Sequence, residues 1–360
     1  MHSLRATVAP MSNAPIAIVD DARFDAHEDH SGHHPECPER LIAARSGLYS
    51  TLAQSQQSRV PARAASISEL SRVHVAAYVK SLDSRLARGA GNLDPDTYFG
   101  PGTREAAWTA AGGAIDLTRR LVQGEAKRGV ALLRPPGHHA VPASSMGFCL
   151  LNNVALAASE ALAAGFKRVA IVDWDVHHGN GTQDVFYEDP RVLFVSLHQF
   201  PFYPGTGAPR EIGSGAGLGF TANLALPSGS DDAVYGAAFR EVVLPLLREF
   251  APEVLLVSAG FDAHARDPLA SMQLSTACYG AMTSALLELA DSLGHGRIAF
   301  FLEGGYDLQA LEASMAQLGL GLGGAKCDLP QGKLREIERA AIDATKRALA
   351  VHWRLPASQA

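Results

Sequence analysis

The stretch VAIVDWDVHHGNGTQDVFY, residues 169–187, decides the fold class. Its first residues are apolar throughout, as in a strand buried on both faces of a parallel sheet. Directly after the apolar run come Asp173, Asp175, His177 and His178. Acids and imidazoles are costly in a core unless they are paired or bind a metal. The stretch therefore predicts a strand whose carboxyl end opens into a functional site.

Similar apolar runs recur on both sides of this stretch and alternate with segments of helical character. The runs cover residues 16–20, 129–135, 168–175, 191–198, 253–260 and 297–305. The helical segments cover roughly 104–123, 152–165, 231–250, 275–294, 308–322 and 333–352. This alternation predicts an α/β fold with a parallel sheet and right-handed connections. No charged or low-complexity linker divides it, so we expect one catalytic domain over residues 15–355.

Composition narrows the function classes. The chain has 360 residues, of which 47% are hydrophobic, and its net charge of -6 argues against direct nucleic-acid binding. No apolar run approaches the roughly 20 residues that cross a bilayer, so no membrane partner is expected. Residues 1–14 lack the apolar core of a secretion signal and are expected to form a flexible tail. The 4 cysteines are far apart without a CxxC pair, which favours reduced thiols and a cytoplasmic location.

Polar clusters follow five of the apolar runs. They read RPPGHHA, DWDVHHGN, SLHQFPFYPGTG, SAGFDAH and EGGYDL. In an open parallel sheet, ligands bind at the carboxyl ends of the strands, so these clusters are expected to converge on one pocket.

Three residues of these clusters are candidate metal ligands. Asp175 and His177 are two positions apart, so on an extended segment their side chains share one side. Asp262 follows another strand and supplies a third ligand. Two carboxylates and one imidazole suit zinc or iron and leave a position open for substrate. A capped turn or a satisfied core group is the alternative for each residue alone.

The adjacent His138 and His139 are candidates for acid–base chemistry. One can act as a general base while the other carries a proton and its charge. Each needs a partner that fixes its tautomer, and Asp173 and Asn180 are the candidates. A surface histidine pair is the alternative.

Aromatic residues lie near the same strand ends. Tyr306 follows two glycines and is a candidate donor to a developing oxyanion, or else a rim aromatic. Phe148, Phe202 and Tyr203 either line a narrow channel or belong to the core. Asp96 either contacts substrate or caps the next helix, and the cap is preferred.

Together with HPECPERL and MGFCLLNNVALAA, these clusters resemble the zinc-dependent histone deacetylase superfamily. The resemblance runs in order over about residues 15–325. Within that superfamily, the chain is similar to class II-like bacterial members, namely the histone deacetylase-like amidohydrolases and the acetylpolyamine amidohydrolases. Asn180 stands where class I members typically have an aspartate.

The resemblance implies an arginase-like α/β fold with an eight-stranded parallel sheet flanked by helices. It implies a zinc ion on Asp175, His177 and Asp262, and it implies His139 as the general base and acid. His138 is then the electrostatic partner of His139, and Tyr306 polarises the substrate carbonyl. Asp173 and Asn180 match the partners of the two histidines. The tunnel for the acyl-lysine chain matches Gly147, Phe148, Tyr203 and Leu269.

The resemblance also implies two structural potassium ions. The first matches Asp173, Asp175, His177, Ser196 and Leu197, and the second matches Phe186, Asp189, Val192 and Phe220. The implied activity is hydrolysis of an acetylated lysine, peptide or small amine. Fe(II) suits the same ligands as zinc.

The residues distinguish a zinc-dependent deacetylase from some alternative functions better than from others. Arginases share the fold but bind two manganese ions through extra aspartates, and those positions are Gly179 and His264 here. A non-catalytic binding module would be favoured if His139 or Tyr306 were replaced. Leu269 favours acetyl-lysine over acetylpolyamines as the substrate. A homo-oligomer formed through residues 76–103 stays open.

Overall fold

The computed structural model describes residues 15–29 and 32–357. The predicted tail, residues 1–14, lies outside the described residues. Ten strands are described: β1 Ile16–Val19, β2 Gln57–Arg59, β3 Gly91–Asn92, β4 Tyr98–Phe99, β5 Arg128–Ala131, β6 Val169–Asp173, β7 Val192–Gln199, β8 Thr221–Leu226, β9 Val254–Ala259 and β10 Ile298–Leu302.

Eleven α-helices are described. They are α1 Glu39–Thr51, α2 Ile67–Leu70, α3 Ala76–Leu86, α4 Thr103–Val122, α5 Asn153–Ala163, α6 Asn180–Phe186, α7 Asp232–Ala238, α8 Leu244–Phe250, α9 Thr276–Ser292, α10 Leu308–Leu322 and α11 Glu336–Leu349. Within the described part of the chain, no helix is long and apolar enough to cross a membrane.

Eight strands form one sheet in the order β2-β1-β5-β10-β9-β6-β7-β8, and every neighbouring pair is parallel. The predicted α/β fold with an eight-stranded parallel sheet is therefore confirmed. Strands β6, β7 and β9 are buried along their whole length, as their apolar sequences predict. Asp173 at the end of β6 pairs with Ser258 next to the end of β9 and with Ser196 in β7, which continues to Gln199, so the ends of β6 and β9 lie close together at one edge.

One local expectation is wrong. Strand β6 ends at Asp173, so Asp175 and His177 lie in a loop rather than on an extended segment. The helical segment expected over 231–250 is confirmed as an unbroken run, in which α7, a π-helical turn over Phe239–Val243 and α8 follow one another directly. Pro245 accounts for the wide turn, because it has no N–H to donate to the carbonyl four residues earlier.

Candidate active site

The three predicted metal ligands meet at the carboxyl edge of the sheet. Asp175 and His177 come from the loop after β6, and Asp262 comes from the loop after β9. His177 Nδ1 lies 3.2 Å from Asp175 Oδ1 and 3.2 Å from Asp262 Oδ2. The outer carboxylate oxygens are held by the backbone, since Gly304 N donates to Asp175 Oδ2 at 2.7 Å and Val176 N donates to Asp262 Oδ1 at 2.8 Å.

The electrostatics of this cluster suit a bound cation. Among the described residues, the buried Asp262 Oδ2 makes no hydrogen bond, and its contact with His177 Nδ1 at 3.2 Å is an ion pair. Burial raises the pKa of Asp262 to about 7, with the Asp175 charge adding to the effect. Burial alone would lower the pKa of His177, but Asp175 and Asp262 outweigh it and raise that pKa to about 10. The three residues thus favour a positive charge between them, and metal binding there would displace the protons held by His177 and Asp262. Two carboxylates and an imidazole, with ligand atoms within 4.8 Å of one another, fit zinc or Fe(II).

Two adjacent histidines lie beside the metal ligands with different partners. His138 Nδ1 is 2.9 Å from Asp173 Oδ2, whereas His139 Nδ1 is 2.7 Å from Asn180 Oδ1. Burial opposes the charged form of His138, but Asp173 and Asp175 raise its pKa well above the ordinary value. Burial and the positive neighbours His138 and His177 lower the pKa of His139 well below the ordinary value.

These partners fix the state of each ring. Because Asn180 Oδ1 only accepts, His139 keeps its hydrogen on Nδ1, and its Nε2 has a free lone pair. His138, facing a carboxylate, is held as a cation. A pair of titratable groups with opposite shifts is the arrangement that divides acid and base roles.

A narrow pocket of about 90 Å³ leads to these groups. The four predicted tunnel residues, Gly147, Phe148, Tyr203 and Leu269, all line it, together with His139, His177 and Tyr306. Gly147 has φ 57°, and a Cβ there would lie 2.5 Å from the His139 ring, so the position requires glycine. Phe202 instead stacks on His177, with ring centroids 5.4 Å apart.

The prediction that Asp96 caps the next helix is wrong, since Gly102 is the N-cap residue of α4. Asp96 lines the pocket instead; its Oδ1 accepts from Thr97 Oγ1 at 3.1 Å, and its backbone N donates to Asp94 Oδ1 at 3.0 Å. Asp96 therefore lies where a substrate in the pocket can meet it.

The two positions that distinguish arginases leave little room for a second metal. A Cβ at Gly179 would lie 2.1 Å from Asp173 Oδ2, so no carboxylate side chain fits there. His264 Nε2 is 3.1 Å from Thr276 Oγ1, outside the metal cluster.

The predicted potassium ligands cluster in two places. Asp173 and Ser196 are paired across β6 and β7, with Asp175, His177 and Leu197 close along the chain. In the second set, the carbonyls of Phe186, Asp189 and Phe220 each accept one backbone hydrogen bond, and Val192 donates one of them. A carbonyl has a second lone pair, so both sets stay predictions.

Several buried charged residues have no role predicted from the sequence. Arg40 donates through Nε to the Gly305 carbonyl at 2.7 Å, and its guanidinium lies over the Tyr306 ring, 4.9 Å from the centroid. Glu36 accepts from Arg40 at 3.0 Å and also from Arg134. The available signal was charge at fixed places in apolar motifs: the glutamate and arginine of HPECPERL and the arginine before PPGHH.

Several known proteins are similar to this chain in sequence and in fold. The family model described as Histone deacetylase domain matches residues 34–322. A protein of Archaeoglobus fulgidus named Probable deacetylase is 39% identical over 324 residues, 89% of this chain and 89% of its own length. Histone deacetylase 14, chloroplastic, of Arabidopsis thaliana is 39% identical, over 89% of this chain and 81% of the relative. The crystal structure of the HDA15 HD domain matches with a TM-score of 0.87 at 37% identity, over 95% of this chain and 96% of that chain.

Proposed function

The chain belongs to the histone deacetylase family, and from that premise we propose that it is a zinc-dependent amidohydrolase. It removes acetyl groups from the ε-amine of acetyl-lysine or a related acetylated amine. The observation that carries the proposal is the meeting of His177 Nδ1 with two carboxylate oxygens, each at 3.2 Å, at the end of a pocket lined by His139 and Tyr306.

Zinc would be held by Asp175, His177 and Asp262. The chemistry that zinc supplies in such a site is Lewis-acid activation of an amide carbonyl and of water. Backbone N–H groups fix both oxygens of Asp175 and one oxygen of Asp262, which orients the two carboxylates towards the imidazole.

The other groups handle protons and charge. His139, neutral with Nε2 free, takes the proton of the attacking water. His138 remains charged beside it and stabilises the negative charge that develops during the reaction. Tyr306, whose hydroxyl stays protonated because burial raises its pKa well above the ordinary value, donates to the oxygen that becomes negative. Protonation of the leaving amine by a histidine releases acetate and the free amine.

The substrate follows from the pocket. Apolar walls from Phe148, Tyr203 and Leu269 suit the methylene chain of a lysine. An acetylpolyamine is the second candidate, favoured by one observation: Asp96 lines the pocket, where an acidic residue would attract a cationic chain. A non-catalytic binding module is disfavoured, because it has no use for a tyrosine and a neutral histidine beside a metal site.

Potassium at the two predicted sites and a cytoplasmic location belong to the same proposal. All four cysteines, which lie within the described residues, are unpaired, as in a reducing compartment.

The test is turnover of an acetyl-lysine peptide and of N-acetylputrescine by the zinc-loaded protein, with and without a chelator. Tyr306→Phe should lower kcat about 100-fold or more, the effect of losing one oxyanion donor, and leave KM and zinc content unchanged. The control is Tyr49→Phe, which removes a hydroxyl bound to Asp20 and should retain full activity.

The outcomes separate the candidates. Peptide turnover that is lost in Tyr306→Phe supports a lysine deacetylase. Turnover of acetylputrescine alone assigns the chain to polyamine substrates and makes the argument from Leu269 wrong. No turnover of either substrate by the zinc-loaded protein rejects the proposed substrates.

A further inference from the structure

A second buried polar cluster borders the pocket, which His138 and Cys149 also line. His138, Cys149 and Glu303 bring their polar atoms within 4.8 Å of one another. The reaction proposed above gives Glu303 no role, although its carboxylate is only 1% exposed. A carboxylate buried to this degree is costly unless it is hydrogen-bonded, so its partners indicate its purpose.

The cluster is a poor second metal site. His138 Nδ1 is already occupied by Asp173 at 2.9 Å. Burial raises the pKa of the Cys149 thiol well above its ordinary value, which keeps it protonated, and a protonated thiol is a weak ligand. Hydrogen bonding of Glu303 is the better explanation.

The Glu303 carboxylate binds the turn that carries the two histidines. Its Oε2 accepts from Gly137 N at 2.7 Å and from His138 N at 3.2 Å. Its Oε1 accepts from Ser258 Oγ at 3.3 Å. Burial raises the pKa of Glu303 to about 7, and Oε2 can accept from both N–H groups of the turn whether or not the carboxyl group is protonated.

The turn has little freedom on its other side. A Cβ at Gly137 would lie 2.5 Å from Asn153 N and 2.9 Å from Leu151 O. The turn is thus packed against the start of α5 on one side and bound by Glu303 on the other. A loss of the carboxylate would leave two buried N–H groups without their acceptor, and the turn would shift to reach water or another oxygen.

The backbone of Glu303 is fixed as well. Its N donates to Ala259 O at 3.1 Å, and its carbonyl accepts from Arg40, whose guanidinium also lies over Tyr306. Tyr306 follows three residues later in the same loop. Glu303 therefore connects the loop of the tyrosine with the turn of the histidines through one residue.

We propose that Glu303 is a positioning residue, which sets the histidine turn at a fixed distance from the tyrosine loop. The proposal rests on the deacetylase reaction proposed above. Proton transfer and carbonyl polarisation need His139 and Tyr306 aligned on one substrate, and small misplacements of such groups cost large factors in rate.

The experiment compares Glu303→Ala and Glu303→Gln with the wild-type protein, all zinc-loaded. Glu303→Ala should lower kcat about 10- to 100-fold, as loss of an orienting partner does elsewhere, with KM within about threefold. Amide hydrogen exchange in residues 135–141 should become faster. Glu303→Gln should restore most of kcat and of the protection, because its amide oxygen can accept from the turn while its NH₂ donates to Ser258.

Glu241→Ala is the matched control. Glu241 is also a buried glutamate, but it lies in the π-helical turn and pairs with Arg339 and Lys346 of α11 at 2.7 and 3.0 Å. Its loss should lower the melting temperature while kcat stays within about twofold.

Several results would overturn the proposal: wild-type kcat in Glu303→Ala, unchanged exchange in residues 135–141, or a Glu303→Gln variant as slow as Glu303→Ala. If Glu303→Ala does not fold, Glu303→Asp decides. It keeps the charge but is one methylene too short for the turn, so it should be slower than Glu303→Gln, and the reverse order rejects the role. If the wild type turns over no acetylated substrate, the deacetylase proposal fails, whereas hydrogen exchange still tests the contacts of Glu303.

Discussion

At the scale of single residues, the two histidines show how one atom of a partner sets the chemistry. His138 faces a carboxylate and His139 faces a carboxamide, at nearly the same distance from Nδ1. The carboxylate stabilises a cation, whereas the amide oxygen fixes a neutral tautomer. His138 and His139 are adjacent in the sequence, but their different protonation states come from their partners, Asp173 and Asn180.

Asn180→Ala should therefore lower kcat about 10- to 100-fold with little change in KM, because the His139 ring loses the acceptor at 2.7 Å that fixes its tautomer. The measurement is steady-state turnover of the acetyl-lysine peptide at fixed zinc occupancy. Asn92→Ala, at an exposed position of β3, is the control and should behave as wild type. A wild-type kcat in Asn180→Ala would show that His139 needs no partner.

At the scale of elements, loops distant in sequence are joined by buried ion pairs. Glu36 lies before α1 and binds Arg134 after β5, 98 positions away, as well as Arg40 within α1. Arg40 in turn reaches the Gly305 carbonyl after β10, 265 positions away. All three side chains are fully buried. Three loops at the carboxyl edge of the sheet thus share one charge cluster.

Glu36→Ala should lower the free energy of unfolding by about 3–5 kcal/mol, because it leaves two buried guanidinium groups without their carboxylate. Urea denaturation of both proteins measures the difference. Glu125→Ala serves as the control: its pair with Arg120 is exposed, so its loss should cost about 0–1 kcal/mol. Equal destabilisation by the two variants would contradict the argument.

The elements also show what the sequence can predict. Strands β6, β7, β9 and β10 were predictable because each is a continuous apolar run between helical segments. Strand β2 was missed because its residues, QSR, carry no apolar pattern and depend on pairing with β1. The residues of the candidate site were predictable from motifs, whereas the roles of Glu36 and Arg40 depend on distances across the fold that no local pattern encodes.

At the scale of the whole molecule, the loops that build the site enclose neutral histidines. His27 is fully buried, and burial lowers its pKa to about 3. His74 is also buried, with a pKa lowered to about 4. His74 Nε2 accepts from Asn152 N at 2.9 Å while Nδ1 faces the Val141 carbonyl at 3.2 Å, so the ring connects α5 with the loop after the histidine turn. Protonation would destroy the first of these bonds.

This arrangement predicts a loss of stability in mild acid. The ordinary histidine pKa is about 6.5, so His74 of the unfolded chain binds a proton below that pH. In the folded protein His74 binds a proton only below about pH 4. The unfolded state then binds more protons, and stability falls as the pH falls from about 6.5 to 4. For one such group, the loss between pH 7 and pH 5 is about 2 kcal/mol.

His74→Gln tests the prediction, because glutamine can offer the same acceptor and donor without titrating. Both proteins are unfolded by urea between pH 7 and pH 5, with metal removed from each so that metal release does not contribute. The wild type should lose about 2 kcal/mol more than His74→Gln over this interval, since all other titrating groups cancel in the difference. Parallel curves would mean that the folded protein accommodates a charged His74, and that the bond from Asn152 N contributes little to the stability of the native state.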